Sequence, residues 1–469
     1  MLRSTRLSLF CLSIAPLLVA QTIEPEKLRE DFRILRSALE EGHPGIYRYT
    51  PKAELDSVFD ATAARLDRPM TALEFYRVLA PVVAALKCGH TSMGLSEELQ
   101  KRAIPLFPAE VRVLDHKVYV FRDYSGTGGL AAAEIQSVNG VPAGRILQTM
   151  LTVEHGDGES TTAGPWRIGH GGTFARDLYM LAGIESPFRI RYVLAGKTSE
   201  ATIEGIPGDK LKEVANTRYP QDRRPSVSAT YKLLNHGNVG LLKVYGFGGK
   251  AEGDKPLGAF FQDVYNDLHD KKAVSLIIDL RDNGGGADEL GKQLFSYLVT
   301  EPFPYYNDLV INKLTFDFYK YANNPRPIPS DRVTKRPNGK YLLSSHPNWG
   351  TQQPGKPYFG GKVFALMNGG SFSTTCEFLS TLHNHHRATF IGEEAAGGYY
   401  GNTSGPGALL VLPNSKLRIG VRLMTYYMAI EGDRYGNRSI PSDHAVTYSI
   451  EELLAGKDKE MDTALRLVN

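Results

Sequence analysis

Three near-continuous apolar runs constrain this chain more than any other feature. They are Val239-Gly-Leu-Leu-Lys-Val, Ala273-Val-Ser-Leu-Ile-Ile-Asp-Leu and Lys362-Val-Phe-Ala-Leu-Met-Asn. A strand with one wet face alternates polar and apolar residues. A strand that is apolar throughout must be covered on both faces, as in a parallel sheet sandwiched by helices. Each run ends in glycines or a polar turn and gives way to helical spacing. Residues 227–455 therefore read as an α/β core with a mostly parallel sheet. The Pro-rich stretch 305–350 lacks the pattern and reads as a long insertion over one edge.

In open α/β sheets the working residues gather at the carboxyl ends of strands, and two such ends here are rich in glycine. The first is Asp279-Leu-Arg-Asp-Asn-Gly-Gly-Gly286, ahead of a helix near Asp288. Three glycines allow a tight turn and leave backbone N–H groups unshielded. No Lys-Ser/Thr follows, so a bound phosphate is a poor fit and a transient oxyanion a better one. The second end is Asn368-Gly-Gly-Ser-Phe-Ser-Thr-Thr-Cys-Glu-Phe378, with a helix expected from Ser373 or Thr374. A hydroxyl there meets the positive end of the helix dipole, which favours developing negative charge. The plainer alternative is that Ser371 or Ser373 only caps the helix.

The rest of the chain is organised differently. Residues 1–20 carry Arg3 and Arg6 ahead of an apolar stretch ending at Ala20. The stretch is too short to span a bilayer and reads as a cleaved secretory signal. Residues 21–100 read as a helical block, with Leu28, Phe32, Leu35 and Leu39 on one face and a capping box at Thr71 and Glu74. Residues 104–206 read as a β-rich module in which Ile135-Gln-Ser-Val-Asn-Gly140 gives a strand and a tight turn, with Gly156 to Gly172 as a loop. Its order resembles a PDZ domain. With 54 basic against 51 acidic residues and no basic run, nucleic acid has no electrostatic footprint. Three cysteines exclude a disulfide scaffold and a Cys-based zinc module. His383-Asn-His-His386 has no carboxylate at ligand spacing and reads as a solvated helix end, so no metal is expected.

Taken in order, Cys88-Gly-His-Thr91, Asp279-Leu-Arg-x-Asn-x-Gly-Gly, Gly-Gly-Ser-Phe-Ser-x-x-x-Glu-Phe and Ile391-Gly-Glu-Glu-x-x-Gly-Gly resemble the tail-specific, or C-terminal processing, serine peptidases. The likeness runs along nearly the whole chain behind the signal. It implies an α+β multidomain protein with a helical cap, a PDZ-like module and an α/β (ClpP/crotonase-like) catalytic core. One branch of that family pairs serine with a lysine near the position of Gly398. No Lys or Arg lies between Arg387 and Lys416, so that branch does not fit. The other branch, similar to the tricorn core, uses serine, histidine and glutamate.

On that resemblance Ser373 is the nucleophile, with Ser371 as the alternative, His90 the general base and Glu431 the acidic member. The oxyanion hole falls to the Thr374 N–H with Gly285 or, second, Gly286. Cys376 departs from the branch pattern, and Gly89 stands where the tricorn type has a serine. The implied protein is a periplasmic or extracellular serine endopeptidase that needs no cofactor. It takes a polypeptide, held through an extended segment or its C-terminus. The rival reading is an inactive peptide- or lipid-binding relative on the same scaffold. Pairing His90 with Ser373 would also carry Cys88 and Cys376 into one neighbourhood, as two separate buried thiols.

Overall fold

The computed structural model describes residues 21–126, 128–234, 238–432 and 434–468. The signal assigned to residues 1–20 lies outside the described residues. The whole is a mixed α/β multidomain fold.

The helical block consists of Pro25–Gly42, Lys52–Ala64 and Ala72–Ala84. Leu28, Phe32, Leu35 and Leu39 are all buried along the first helix. Thr71 caps the third, accepting from the Glu74 N–H while the Glu74 carboxylate accepts from the Thr71 N–H. The block does not close a core of its own. Its apolar faces merge with Leu410, Ile419, Val421 and Leu423 of a long antiparallel hairpin, Thr403–Val411 and Arg418–Met428. A Cβ at Gly42 would come 2.9 Å from the Phe318 ring and 3.0 Å from a Val421 methyl, so the helix packs closely on these side chains.

The second unit is an antiparallel sheet ordered Lys197–Ile203, Phe188–Leu194, Glu134–Val138, Lys117–Asp123, Ala109–Leu114. Asn139 and Gly140 both take positive φ, 50° and 81°, as a tight two-residue hairpin turn requires. The stretch Gly156 to Gly172, expected as a loop, contains a helix, Ala163–Gly169. Its two glycines and a proline hide helical spacing from the sequence. Packing holds it instead, because Trp166 lies flat against Gly369 and Gly370, where a Cβ on Gly370 would come 2.5 Å from the indole.

The core sheet runs Ala229–Leu234, Val239–Val244, Ser275–Asp279, Lys362–Met367, Thr389–Gly392, His444–Ala445. The first pair is antiparallel and the others are parallel, as the apolar runs require. Helices Leu257–Asp270, Asp288–Ser296 and Thr374–Asn384 share the largest core with it. The stretch 305–350 corrects the sequence reading. Its strand Tyr306–Ile311 pairs with Arg418–Met428, from Tyr306 opposite Met428 to Ile311 opposite Met424. It is thus part of a second sheet and not an insertion over an edge. The strand is a single short run with prolines downstream, which is why no period shows.

Candidate active site

Strand Ser275–Asp279 is buried along its whole length and delivers the chain into the first glycine turn. Asp279 is held by Arg281, with Nη2 to Oδ2 at 2.8 Å, and by Lys243 Nζ at 3.0 Å. Burial alone would raise the Asp279 pKa, but these cations outweigh it and keep the carboxylate below its ordinary range. Arg281 also reaches Asp458 and Glu460, so this pair ties the C-terminal helix to the core and does no chemistry. The wholly buried Asn283 donates to the Val244 carbonyl at 2.9 Å and accepts from the Gly285 N–H at 2.9 Å. Gly285 and Gly286 have φ of 99° and 146°. A Cβ on Gly285 would sit 2.6 Å from the Ser373 Cβ, and one on Gly286 2.1 Å from the Phe247 carbonyl. Only glycine fits either position. Gly285→Ala is therefore expected to unfold the site locally, cutting activity and costing about 1–3 kcal/mol of stability, as read by kcat/KM and by denaturant midpoint.

The neighbouring parallel strand Lys362–Met367 feeds the second turn. The Asn368 side chain locks the two turns together, accepting from the Asp282 N–H at 3.0 Å and donating to Asp282 Oδ1 at 2.8 Å. Trp166 Nε1 donates to the same Asp282 oxygen at 2.8 Å, so the second unit is pinned to the turn as well. Ser371 is wholly buried, donating to the Leu280 carbonyl at 2.9 Å and accepting from the Asn368 N–H at 3.1 Å. Its hydroxyl is spent on structure.

Ser373 is different. Its backbone is at φ 58°, ψ −129°, a strained conformation for a non-glycine residue at a sharp strand-to-helix turn. It precedes helix Thr374–Asn384 without capping it. Its Oγ lies 2.9 Å from His90 Nε2.

His90 projects from the turn Cys88-Gly89-His90-Thr91, closed by the Thr91 N–H on the Cys88 carbonyl at 3.0 Å. Its ring stacks on Phe372 at 4.4 Å between centroids, and its carbonyl accepts from Arg422 Nε at 2.8 Å. The carboxylate facing it is Asp157. Asp157 Oδ2 is 3.7 Å from His90 Nδ1, within ion-pair range but longer than a hydrogen bond. Asp157 Oδ1 accepts from the Gly89 N–H at 2.8 Å. Burial would raise the Asp157 pKa, yet the charge of His90 and the Gly89 N–H hold it below the ordinary value. Residues 157 to 162 run along Glu394–Ala396, with the Asp157 N–H on the Ala396 carbonyl at 2.9 Å and Thr162 Oγ1 on the Glu394 carbonyl at 2.8 Å. That rail sets Asp157 beside His90.

The structure therefore brings Ser373 and His90 together and leaves Glu431 out. Glu431 is exposed beyond the end of strand Arg418–Met428, and no described ion pair or hydrogen bond joins it to His90. Asp157 was missed because a Gly-Asp-Gly step in a glycine-rich segment looks like any other turn. Of the N–H groups expected to form the oxyanion hole, that of Gly285 is committed to Asn283. Among the described bonds, none takes the N–H of Thr374 or of Gly286. A cavity of about 370 Å³ lined by Arg224, Tyr245, Phe247, Gly285 and Gly286 opens on this side of Ser373. A larger one of about 690 Å³, lined by Gly89, Thr91, Trp166 and Arg167 together with apolar side chains such as Val83 and Leu95, flanks His90. Cys88 and Cys376 are both free and buried, with Cys88 Sγ on the Thr403 carbonyl and Cys376 Sγ on the Ser371 carbonyl. His383 bonds Tyr399 and Tyr435 and is not a solvated helix end.

Beneath helix Thr374–Asn384, the Tyr306 hydroxyl lies 2.7 Å from Asp288 Oδ2 and 2.8 Å from Glu377 Oε2. One hydroxyl proton cannot serve two carboxylates, so one of them carries its own. Burial, then the charge of Asp288, push the Glu377 pKa up to about 8, whereas Asp288 beside His346 is held low. Glu377 is thus the protonated partner. The folded state binds more protons than the unfolded chain between these limits, so this group's contribution to stability falls as pH rises from about 4.5 to about 8. Glu377→Gln should flatten that slope in Tm measured against pH.

A strained serine between two strand ends, bonded to a histidine that faces a buried carboxylate, belongs to a serine-type peptidase. Residues 238–427 match the model of peptidase family S41. Among solved structures, mature CPAF complexed with lactacystin is similar at a TM-score of 0.62 and 15% identity, covering 95% of this chain and 98% of that one. Mature CPAF alone gives 0.59 and 16% identity, over 92% and 94%. At such identity these likenesses concern the fold. No curated protein sequence matches the chain. As a serine-type peptidase it acts on polypeptide, and no helix among the described residues is long and apolar enough to cross a membrane.

Proposed function

We propose that the chain is an endopeptidase working through an acyl-enzyme on Ser373, with His90 as general base. The observation that carries this reading is the 2.9 Å contact between His90 Nε2 and Ser373 Oγ. An imidazole changes charge near neutrality, so it can accept the seryl proton and return it to the leaving amine. Asp157 takes the acidic role that the sequence resemblance gave to Glu431, orienting His90 and balancing its charge in the transition state. The Thr374 N–H, with Gly286 in preference to the committed Gly285, receives the oxyanion.

Helix Ala163–Gly169 lies against the Ala109–Leu114 edge of the sheet, while at the other edge the outer backbone groups of Lys197–Ile203 meet no further strand among the described residues. These groups suit the strand addition by which a PDZ-like module at 104–206 captures an extended or C-terminal peptide. Residues 1–20 as a secretory signal place the enzyme in the periplasm or outside the cell, and residues 21–100 and 227–455 serve as helical cap and catalytic core. Incubation of the mature chain with an unfolded polypeptide, followed by mass mapping of the new ends, tests the reading. Internal cleavage that disappears in His90→Ala is expected. Binding without cleavage would favour the inactive peptide-binding relative.

A further inference from the structure

The turn that presents His90 also presents Cys88, a residue for which neither the proton relay nor the family resemblance has a use. One donor atom from each of Cys88, His90 and Asp157 lies within 4.8 Å of the others. Cys88 is 1% exposed and Asp157 fully buried, while the His90 side chain is 11% exposed. The relay leaves two of these donors unpaired, since His90 Nδ1 and Asp157 Oδ2 are both buried without a hydrogen bond. His43 adds a third imbalance close by. It is fully buried, neither ring nitrogen has a partner, and it senses the charges of Asp157 and His90. Unpaired buried polar atoms are rare and call for a physical cause.

A thiolate, an imidazole and a carboxylate form a donor set for a borderline-soft divalent cation, not for Ca²⁺ or Mg²⁺, which take oxygens. Bonds of about 2.0–2.3 Å in a tetrahedral site set neighbouring donors roughly 3.3–3.8 Å apart. The 3.7 Å between His90 Nδ1 and Asp157 Oδ2 already meets that spacing. Closing the thiol onto them is a small shift of a turn that contains Gly89.

We propose that Cys88 Sγ, His90 Nδ1 and Asp157 Oδ2 form an inhibitory site for Zn²⁺ or a similarly thiophilic divalent cation. Binding forms the sulfur–metal bond as the Cys88 proton leaves to solvent, and no electrons are transferred. A neutral imidazole bound through Nδ1 carries its proton on Nε2. That nitrogen then donates to Ser373 Oγ and can no longer accept its proton. The inhibition rests on His90 being the base, whereas the binding does not.

The two parts are tested separately. The full mature chain carrying Ser373→Ala is titrated with Co²⁺ and then with Zn²⁺. A thiolate-to-cobalt charge-transfer absorption reaching one metal per chain and displaced by zinc is expected, and it should be missing when Cys88→Ala or Cys88→Ser is added. In the active protein, zinc should suppress proteolysis and chelation should restore it. Measured against each protein's own metal-free rate, the inhibitory zinc concentration should rise at least about tenfold in the Cys88 variants. No charge-transfer band in the Ser373→Ala protein, or equal zinc sensitivity with and without Cys88, overturns the proposal. If the wild-type chain proves inactive, the cobalt titration alone decides the site, and the peptidase mechanism fails independently.

Discussion

Ser373→Ala is expected to abolish proteolysis while leaving the thermal transition nearly unchanged. The substitution removes one hydroxyl that is not part of the helix cap and whose described bond is to His90. Loss of the nucleophile of such a triad costs on the order of 10⁴-fold or more in rate. Relief of a strained rotamer or backbone does not follow, because alanine keeps the same Cβ at the same φ of 58°. Ser371→Ala gives the opposite signature. Its buried hydroxyl bridges the two strand ends, so its removal leaves the Asn368 N–H without that acceptor. A stability loss of about 1–3 kcal/mol is expected, with residual activity in the folded fraction. Activity assays run beside denaturant melts on both variants distinguish the two serines.

Asp157→Asn carries the second large effect. The amide keeps the size of the side chain and can still accept from the Gly89 N–H, but it removes the charge 3.7 Å from His90 Nδ1. An imidazolium formed during the reaction then lacks its counter-charge. A fall in kcat on the order of 10³–10⁴-fold is expected, with KM little changed, since Asp157 is fully buried. Glu431→Gln should leave kcat/KM as it is, because that side chain is exposed and outside the described bonds of His90. A full loss in Glu431→Gln with retention in Asp157→Asn would return the acidic role to Glu431.

The parallel core was legible because burial on both faces writes itself as unbroken apolar runs, and Ser275–Asp279 and Lys362–Met367 lie where those runs do. The capping box at Thr71 and the turn at Asn139-Gly140 were legible because their chemistry is local. Ser373 and His90 could be paired only through the family resemblance, since nothing in their spacing along the chain joins them. What stayed hidden depends on contacts distant in sequence. The helix Ala163–Gly169 is held by Trp166 on the glycine turn, the strand Tyr306–Ile311 by its pairing with Arg418–Met428, and Asp157 by the rail of Glu394–Ala396. None of these segments has a period or composition of its own that announces its place.

The most direct test of the central claim is labelling of the chain with a serine-directed fluorophosphonate, followed by peptide mapping. A nucleophile activated by His90 should take up one label per chain on Ser373, and His90→Ala should suppress the reaction without moving it. Absence of label from a folded chain, or its appearance on Ser371, would contradict the account.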